Sequence, residues 1–192
     1  DGSEEWTALK DNPDYLSLSA EELKAKIKDA GLVGMGGATF PTHVKLSPPK
    51  EKPIDVVIIN GAECEPYLAA DYRLMLEQPK EIIEGLKVFM KILGVKKGNI
   101  GIENNKLDAV EVMEKAAASE PDIGVTPLEV KYPQGAEKML IKAITGREVP
   151  PRALPMDVGA LVQNVGTTIA AYEAARFGKP LIERVVTVTG EG

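Results

Sequence analysis

The sequence has few of the side chains that bind metals or form disulfides. Its 192 residues include one cysteine, Cys64, and one histidine, His43. A single cysteine excludes an intrachain disulfide and any zinc or iron–sulfur site built from several thiolates of this chain. A hydrolase with a Ser-His-Asp or Cys-His arrangement would have to use His43 as its imidazole. The sequence therefore predicts no metal site.

Positive charge, aromatic residues and long apolar runs are also scarce. Asp and Glu number 29 against 23 Lys and Arg, which gives a net charge of -6, and aromatic residues make up 5% of the chain. Nucleic-acid binding relies on a positive field and on stacking side chains, so nucleic acid is disfavoured as a partner. Since no apolar run approaches the roughly 20 residues of a membrane helix, we expect no direct membrane insertion.

The rest of the sequence alternates between strand and helix patterns. Short apolar or β-branched runs predict strands at 56–59, 100–103, 125–132 and 184–189. Three signals predict helices: apolar residues at helical spacing, a capping box at Ser19, and glycines at helix ends. The predicted helices are 19–31, 82–93, 107–118, 136–144 and 158–177. This alternation is typical of an α/β domain with a mainly parallel sheet. We expect an irregular segment over 1–18 and one domain over 19–190.

A glycine-rich loop is the first candidate binding element. Gly34, Gly36 and Gly37 would let backbone N–H groups approach a ligand phosphate, and Lys45 would add a positive charge. The loop lacks the Gly-Lys-Ser/Thr of a Walker motif. It also lacks the dinucleotide fingerprint, because it follows a helix and Thr39 occupies the third glycine position. Glycine clusters are more often simple turns, so the loop alone leaves both interpretations open.

An acidic stretch follows the first predicted strand, where α/β sheets place ligands. It contains Asn60, Glu63 and Glu65, and in an extended chain the two carboxylates would point the same way. Such a pair can bind sugar hydroxyls, repel an anion or share a proton. A solvated turn in which Asn60 bonds its own backbone explains the stretch equally well.

Three later residues are further candidates, each with a structural alternative. Tyr132 could contact a ligand or pack at a strand end. Glu137 could line a site or complement a helix dipole. Asn164 could recognise a ligand carbonyl or satisfy a buried backbone group.

Taken together, these segments resemble the C subunit of Rnf-type electron transport complexes. The matching segments are 34–45, 59–67, 132–137 and 162–167, in the same order and spacing across about residues 30–190. The region is similar, more distantly, to the NADH-binding flavoprotein subunit of respiratory complex I. The resemblance implies a Rossmann-like, three-layer α/β domain that binds FMN and accepts a hydride from NADH.

The resemblance also implies roles for individual residues. The three loop glycines would lie against the flavin, with Lys45 near its phosphate. Asn60 and Glu63 would contact the flavin, Phe40 would stack on the adenine of NADH, and Glu65 would contact the dinucleotide. The pocket would be completed by Tyr132, Glu137 and Asn164. No side chain is expected to act as a catalytic acid or base, because hydride transfer is the cofactors' chemistry.

Three positions depart from the complex I pattern and agree with the Rnf branch. Ala62 stands where complex I has an aspartate, Ala136 where it has a glutamate, and Gln163 where it has the first of two asparagines. These changes leave fewer polar contacts to FMN.

The resemblance extends to the whole protein. It implies two 4Fe-4S clusters held by cysteine runs that this sequence does not contain, so we expect a fragment that lacks a following sandwich domain and the iron–sulfur region. Electrons would pass from FMN to those clusters, then to the other subunits of a membrane electron transport complex and a ferredoxin-type acceptor. The protein would be peripheral, on the cytoplasmic side of the cell membrane, in a complex that couples electron transport to ion transport.

Other functions stay open on sequence grounds. A soluble relative could feed electrons to a reductase, and a docking module could keep the fold without the flavin, as Ala62 and Ala136 would favour. A hydrolase based on Cys64 or His43 is a more distant alternative. NADH is expected rather than NADPH, because Glu65 near a ribose would disfavour a 2′-phosphate.

Overall fold

A parallel four-stranded sheet forms the centre of the protein, as seen in a computed structural model that describes residues 9–190. The strands are β1 (Val56–Gly61), β2 (Gly98–Glu103), β3 (Ile123–Leu128) and β4 (Ala160–Asn164), in the order β3-β2-β1-β4. All neighbouring pairs are parallel. This sheet confirms the predicted α/β fold.

Helices cover both faces of the sheet. They are α1 (Ala20–Asp29), α2 (Thr42–Lys45), α3 (Ala70–Glu77), α4 (Pro79–Leu93), α5 (Leu107–Ala117), α6 (Glu137–Thr145) and α7 (Val165–Phe177). Side chains alternate along a strand, so Val57 and Ile59 join the large core beneath α1, α4, α5 and α7. Val56 and Ile58 pack on the opposite face with residues of α6. The sheet is therefore the middle of three layers.

Local sequence signals explain where several helices begin and end. The predicted capping box at Ser19 is present: Glu22 N–H donates to Ser19 Oγ (3.3 Å), and Ser19 N–H donates to the Glu22 carboxylate (2.8 Å). Gly94 ends α4 in the left-handed region at φ 67°.

Two sequence predictions were wrong. The helix predicted at 158–177 is a strand followed by a helix, β4 and α7, divided at Asn164, whose side chain caps α7. The strand predicted at 184–189 is irregular chain, in which Val186 and Val188 are exposed with no neighbouring strand in the described residues. Apolar composition alone does not supply a partner strand.

The predicted loops are also more structured than expected. The 31–53 region contains α2, and α3 follows directly after the acidic stretch. The described part of the N-terminal segment, 9–18, includes one short 3-10 turn at Tyr15–Ser17, and residues 1–8 lie outside the described structure. Within residues 9–190, no helix combines the length and apolarity required to span a bilayer.

The strand order creates the crevice that positions the site. From β1 the chain moves outward through β2 to β3, then crosses back to place β4 on the other side of β1. Asn60 at the end of β1 is in register with Asn164 at the end of β4. Ligands of open α/β sheets bind outside the carboxyl ends of the strands, at the point where the order reverses.

Candidate functional site

A cavity of about 380 Å³ opens at this reversal point, and we call it the switch-point cavity. It is lined by eight of the eleven residues that the sequence predicts for the site, namely Gly34, Gly36, Gly37, Phe40, Lys45, Asn60, Glu137 and Asn164. The topology therefore brings together segments that are more than a hundred residues apart in the sequence.

The glycine loop packs against the start of α7. Met35 N–H donates to Thr167 Oγ1 at 2.9 Å, and Gly34 N–H donates to Phe40 O at 2.9 Å, which closes the loop. A Cβ added at Gly36 would lie 3.4 Å from Asn164 Cβ, and Gly37 has a φ of 133° that favours glycine. The absence of side chains at Gly34, Gly36 and Gly37 lets the backbone at these positions form part of the cavity wall.

The charged end of the cavity is an ion pair between Lys45 of α2 and Glu137 of α6. Lys45 Nζ lies 2.8 Å from Glu137 Oε1, and both side chains are about one-third exposed. Glu137 occupies the first turn of α6, where the partial positive charge of the helix favours a carboxylate. The pair holds the ammonium group at the cavity wall, within reach of an anionic ligand.

Asn60 joins the loop after β1 to the loop before α6 at the cavity wall. Its Nδ2 donates to Gly135 O at 2.8 Å, and its Oδ1 accepts from Ala62 N–H at 3.1 Å. The two backbones approach so closely that a Cβ at Gly135 would lie 2.6 Å from Ala62 O. The turn expected for Asn60 is therefore present, and the same side chain lines the cavity.

Asn164 has a similar double role at the end of β4. Its Oδ1 accepts from Thr167 N–H at 3.3 Å, which caps α7, and its Nδ2 donates to Asp71 Oδ2 at 2.7 Å. Asp71 lies in the first turn of α3 and lines a second cavity of about 240 Å³, between α3, α7 and the segment after α7. Asn164 lines both cavities.

Asp71 is the site residue that sequence reasoning missed. Burial, and then the neighbouring Glu63 carboxylate, raise the pKa of Asp71 from 3.8 to about 6, although the hydrogen bond from Asn164 opposes the shift. The only sequence signal was an acid in the first turn of a helix, which has an ordinary capping explanation.

Three predicted residues lie outside the lining of the switch-point cavity. The side chain of Glu63 is buried, and its two carboxylate oxygens accept from Asp71 N–H (3.0 Å) and Tyr72 N–H (2.9 Å) at the start of α3. Glu65 and Tyr132 are exposed, and the hydrogen bond of the Tyr132 hydroxyl to the Glu65 carboxylate raises the pKa of Tyr132. The two glutamates therefore occupy different environments.

Two buried amides near the cavity have an unpaired atom in the described structure. Gln163, which is 4% exposed and lines the cavity, has no partner for Nε2, and Gln134, which precedes the cavity-lining Gly135 in the sequence, has none for Oε1. Buried polar atoms are nearly always paired, so such atoms at a cavity indicate where a ligand or water completes the hydrogen bonding.

The residues of the hydrolase alternative are placed on different elements. His43 lies in the short helix α2, and the half-buried Cys64 lies beside Gly135 on the loop after β1. Among residues 9–190, no three His, Cys, Asp or Glu side chains come together as a metal-ligand set.

Comparison with known proteins agrees with this geometry. Residues 27–173 match the sequence model of the family described as the Nuo51 FMN-binding domain. The C subunit of the proton-translocating ferredoxin:NAD(+) oxidoreductase complex of Clostridium ljungdahlii is 54% identical over 191 residues, which are 99% of this chain and 42% of that protein. The C subunit of the Na(+)-translocating complex of Acetobacterium woodii is 53% identical over 91% of this chain and 39% of that protein. The chain thus spans about two-fifths of the length of these relatives.

Two crystal structures of an NAD+-reducing NiFe-hydrogenase share the fold. The air-oxidized structure has a TM-score of 0.69 at 24% identity and covers 83% of this chain and 31% of that chain. The H2-reduced structure has a TM-score of 0.71 at 22% identity and covers 85% and 32%. At this identity the likeness shows the fold alone.

The raised pKa of Asp71 gives a testable dependence of stability on pH. The folded chain keeps the proton up to about pH 6, whereas the unfolded chain releases it near 3.8, so stability falls as the pH rises through this window. Asp71→Asn removes the effect. We expect this substitution to increase the free energy of unfolding at neutral pH by on the order of 1–3 kcal/mol. The melting temperature should rise by roughly 2–4 °C for each kcal/mol. Both increases should be smaller near pH 4.

Thermal unfolding followed by circular dichroism at both pH values measures this difference. Glu77→Gln, at an exposed position of the same helix, is the matched control and should show no such pH-dependent gain. An equal gain from Asp71→Asn at both pH values would contradict the assignment.

Proposed function

The chain belongs to the Nuo51 FMN-binding domain family, and from this premise we propose that its switch-point cavity binds FMN and exchanges electrons with NADH. The observation that carries the proposal is the convergence of the glycine loop, Lys45, Asn60, Glu137 and Asn164 on one cavity. All of these residues fall within the segment that matches the family.

The groups at the cavity fit the chemistry of FMN. Its phosphate needs cationic and N–H donors, which Lys45 and the backbone at the loop glycines supply. The polar edge of its ring needs amide-like donors and acceptors, which Asn60 and Asn164 offer. The unpaired Nε2 of Gln163 adds a donor that no described protein atom satisfies. These amide groups replace in part the polar contacts to FMN that Ala62 and Ala136 do not provide.

When bound, FMN supplies the redox chemistry, because it accepts electrons as a hydride and passes them on singly. The role of the chain itself is to bind FMN and to orient it. The ion pair with Glu137 holds the Lys45 ammonium in place before any ligand arrives, which reduces the entropy lost on binding. The hydrogen bonds of Asn60 and Asn164 fix their side chains at the cavity wall in the same way.

The dinucleotide would approach from the exposed side of the cavity. Phe40 is 51% exposed at the end of the glycine loop and is available to stack on an adenine. Glu65 and Tyr132, which are joined by a hydrogen bond, form an exposed polar pair for a ribose. Glu63 acts on the site indirectly in this proposal, because it holds the start of α3 rather than the flavin.

For the whole protein, we propose an electron-transfer module of an ion-translocating complex. The relatives are named as C subunits of ferredoxin:NAD(+) oxidoreductase complexes, so the partners would be the other subunits, with ferredoxin as the second redox protein. The FMN cavity would be the NAD(H) end, linked to 4Fe-4S clusters elsewhere in the protein. It would lie peripherally at the cytoplasmic side of the membrane.

The phosphate assignment is tested with two flavins and one substitution. We expect Lys45→Ala to weaken FMN binding about tenfold or more, since it removes a charge-assisted hydrogen bond and leaves Glu137 unpaired beside the phosphate. Riboflavin has no phosphate, so its affinity should change less than about twofold. Quenching of flavin fluorescence measures both affinities.

Lys52→Ala is the matched control, because Lys52 pairs with Asp157 outside the cavity lining. Equal weakening of FMN and riboflavin by Lys45→Ala would refute the phosphate assignment. Failure of the unaltered chain to bind FMN would favour a docking module that keeps the fold.

Dinucleotide preference is tested on the FMN-loaded chain without oxygen. We expect NADH to bleach the flavin absorbance faster than NADPH, because the Glu65 carboxylate repels a ribose 2′-phosphate. Glu65→Gln should narrow the difference by speeding the reaction with NADPH, whereas Glu51→Gln, another exposed acid, should not. Identical rates with both dinucleotides in the unaltered chain would overturn the assignment to Glu65.

A further inference from the structure

We propose that Asp71 is a positioning residue for the switch-point cavity: its carboxylate holds the Asn164 amide in one orientation and, through it, supports the glycine loop. The inference rests on the proposed function of the cavity as an FMN site. It adds a residue that does not line the switch-point cavity itself.

The Asn164 amide is hydrogen bonded at both ends. Nδ2 donates to Asp71 Oδ2 at 2.7 Å, and Oδ1 accepts from Thr167 N–H at 3.3 Å. An ionised carboxylate only accepts and a backbone N–H only donates, so a rotated amide would fail at both ends. Ionised Asp71 and the Thr167 N–H therefore select the same orientation of the amide.

Asn164 is linked to the glycine loop through Thr167. Thr167, whose N–H is capped by Asn164, accepts the Met35 N–H through its hydroxyl at 2.9 Å. Asn164 Cβ also lies 3.4 Å from where a Cβ of Gly36 would stand. The Asn164 side chain thus supports the loop by a hydrogen-bonded link and by direct packing.

The charges around Asp71 show that its ionised form is costly. Glu63, on the loop before α3, opposes ionisation, while Lys106 before α5 and Arg184 after α7 favour it. Burial outweighs both cations, so the pKa of Asp71 rises to about 6. An asparagine at this position would avoid that cost but would not select between the two amide orientations, because it both donates and accepts.

Protonation of Asp71 removes one of these two selecting groups and leaves the Thr167 N–H. Protonated Asp71 carries an O–H that can donate to Oδ1 of Asn164, so at this end of the amide both orientations become possible. The support for the loop should therefore weaken below about pH 6. FMN affinity should weaken with it.

The first arm of the test needs no flavin. In ¹H–¹⁵N spectra of the 192-residue chain, the side-chain NH₂ signal of Asn164, identified by its loss in Asn164→Ser, should titrate with a midpoint near pH 6. The titration should disappear in Asp71→Asn. It should persist in Glu173→Gln, a control at another carboxylate that lines the 240 Å³ cavity.

The second arm measures FMN affinity by fluorescence at about pH 5 and pH 7.5. The FMN phosphate also titrates near pH 6, but this contribution is common to all variants and cancels when they are compared. We expect the loss of affinity on acidification to be at least about threefold larger in the unaltered chain than in Asp71→Asn.

Three results would overturn the inference: no titration of the Asn164 signal, the same titration in Asp71→Asn, or equal loss of FMN affinity in both proteins. If the unaltered chain does not bind FMN at either pH, the proposed function fails instead. The spectra then decide by themselves whether Asp71 orients Asn164.

Discussion

The parallel pairing of β1 with β4 is the constraint on which the rest of the site depends. It sets Asn60 beside Asn164 at the carboxyl edge of the sheet and opens the crevice where the strand order reverses. The glycine loop lies against the start of α7, which follows β4 directly, and α6 brings Glu137 to Lys45 on the other side. A shift of one residue in this pairing would turn the asparagine of the shifted strand to the opposite face.

The sequence predicted the elements whose signals are local. The capping box before α1, the apolar run of β1 and the glycine after α4 each depend on a few neighbouring residues, and the structure contains all three. The division between β4 and α7 was missed because the small and apolar residues on both sides of Asn164 read as one helical stretch. The contact of Asp71 with Asn164 joins positions 93 residues apart and has no local signal.

The site keeps polar groups where an apolar core would be more stable. Asp71 is ionised at neutral pH at a cost in folding free energy, and Gln163 leaves a buried donor unpaired. Gln163 lines the cavity at the strand reversal, and Asp71 is hydrogen bonded to Asn164, which lines it too. Local departures from optimal folding are expected where a protein binds a ligand, and here they coincide with the cavity that the topology creates.

The central claim is that FMN binds at the reversal between β1 and β4, and a crystal structure of the chain with FMN tests it most directly. We expect the flavin against Gly36, with a phosphate oxygen within hydrogen-bond distance of Lys45 Nζ. A flavin bound instead in the cavity between α3 and α7, or at the amino ends of the strands with no contact to the glycine loop, would contradict it.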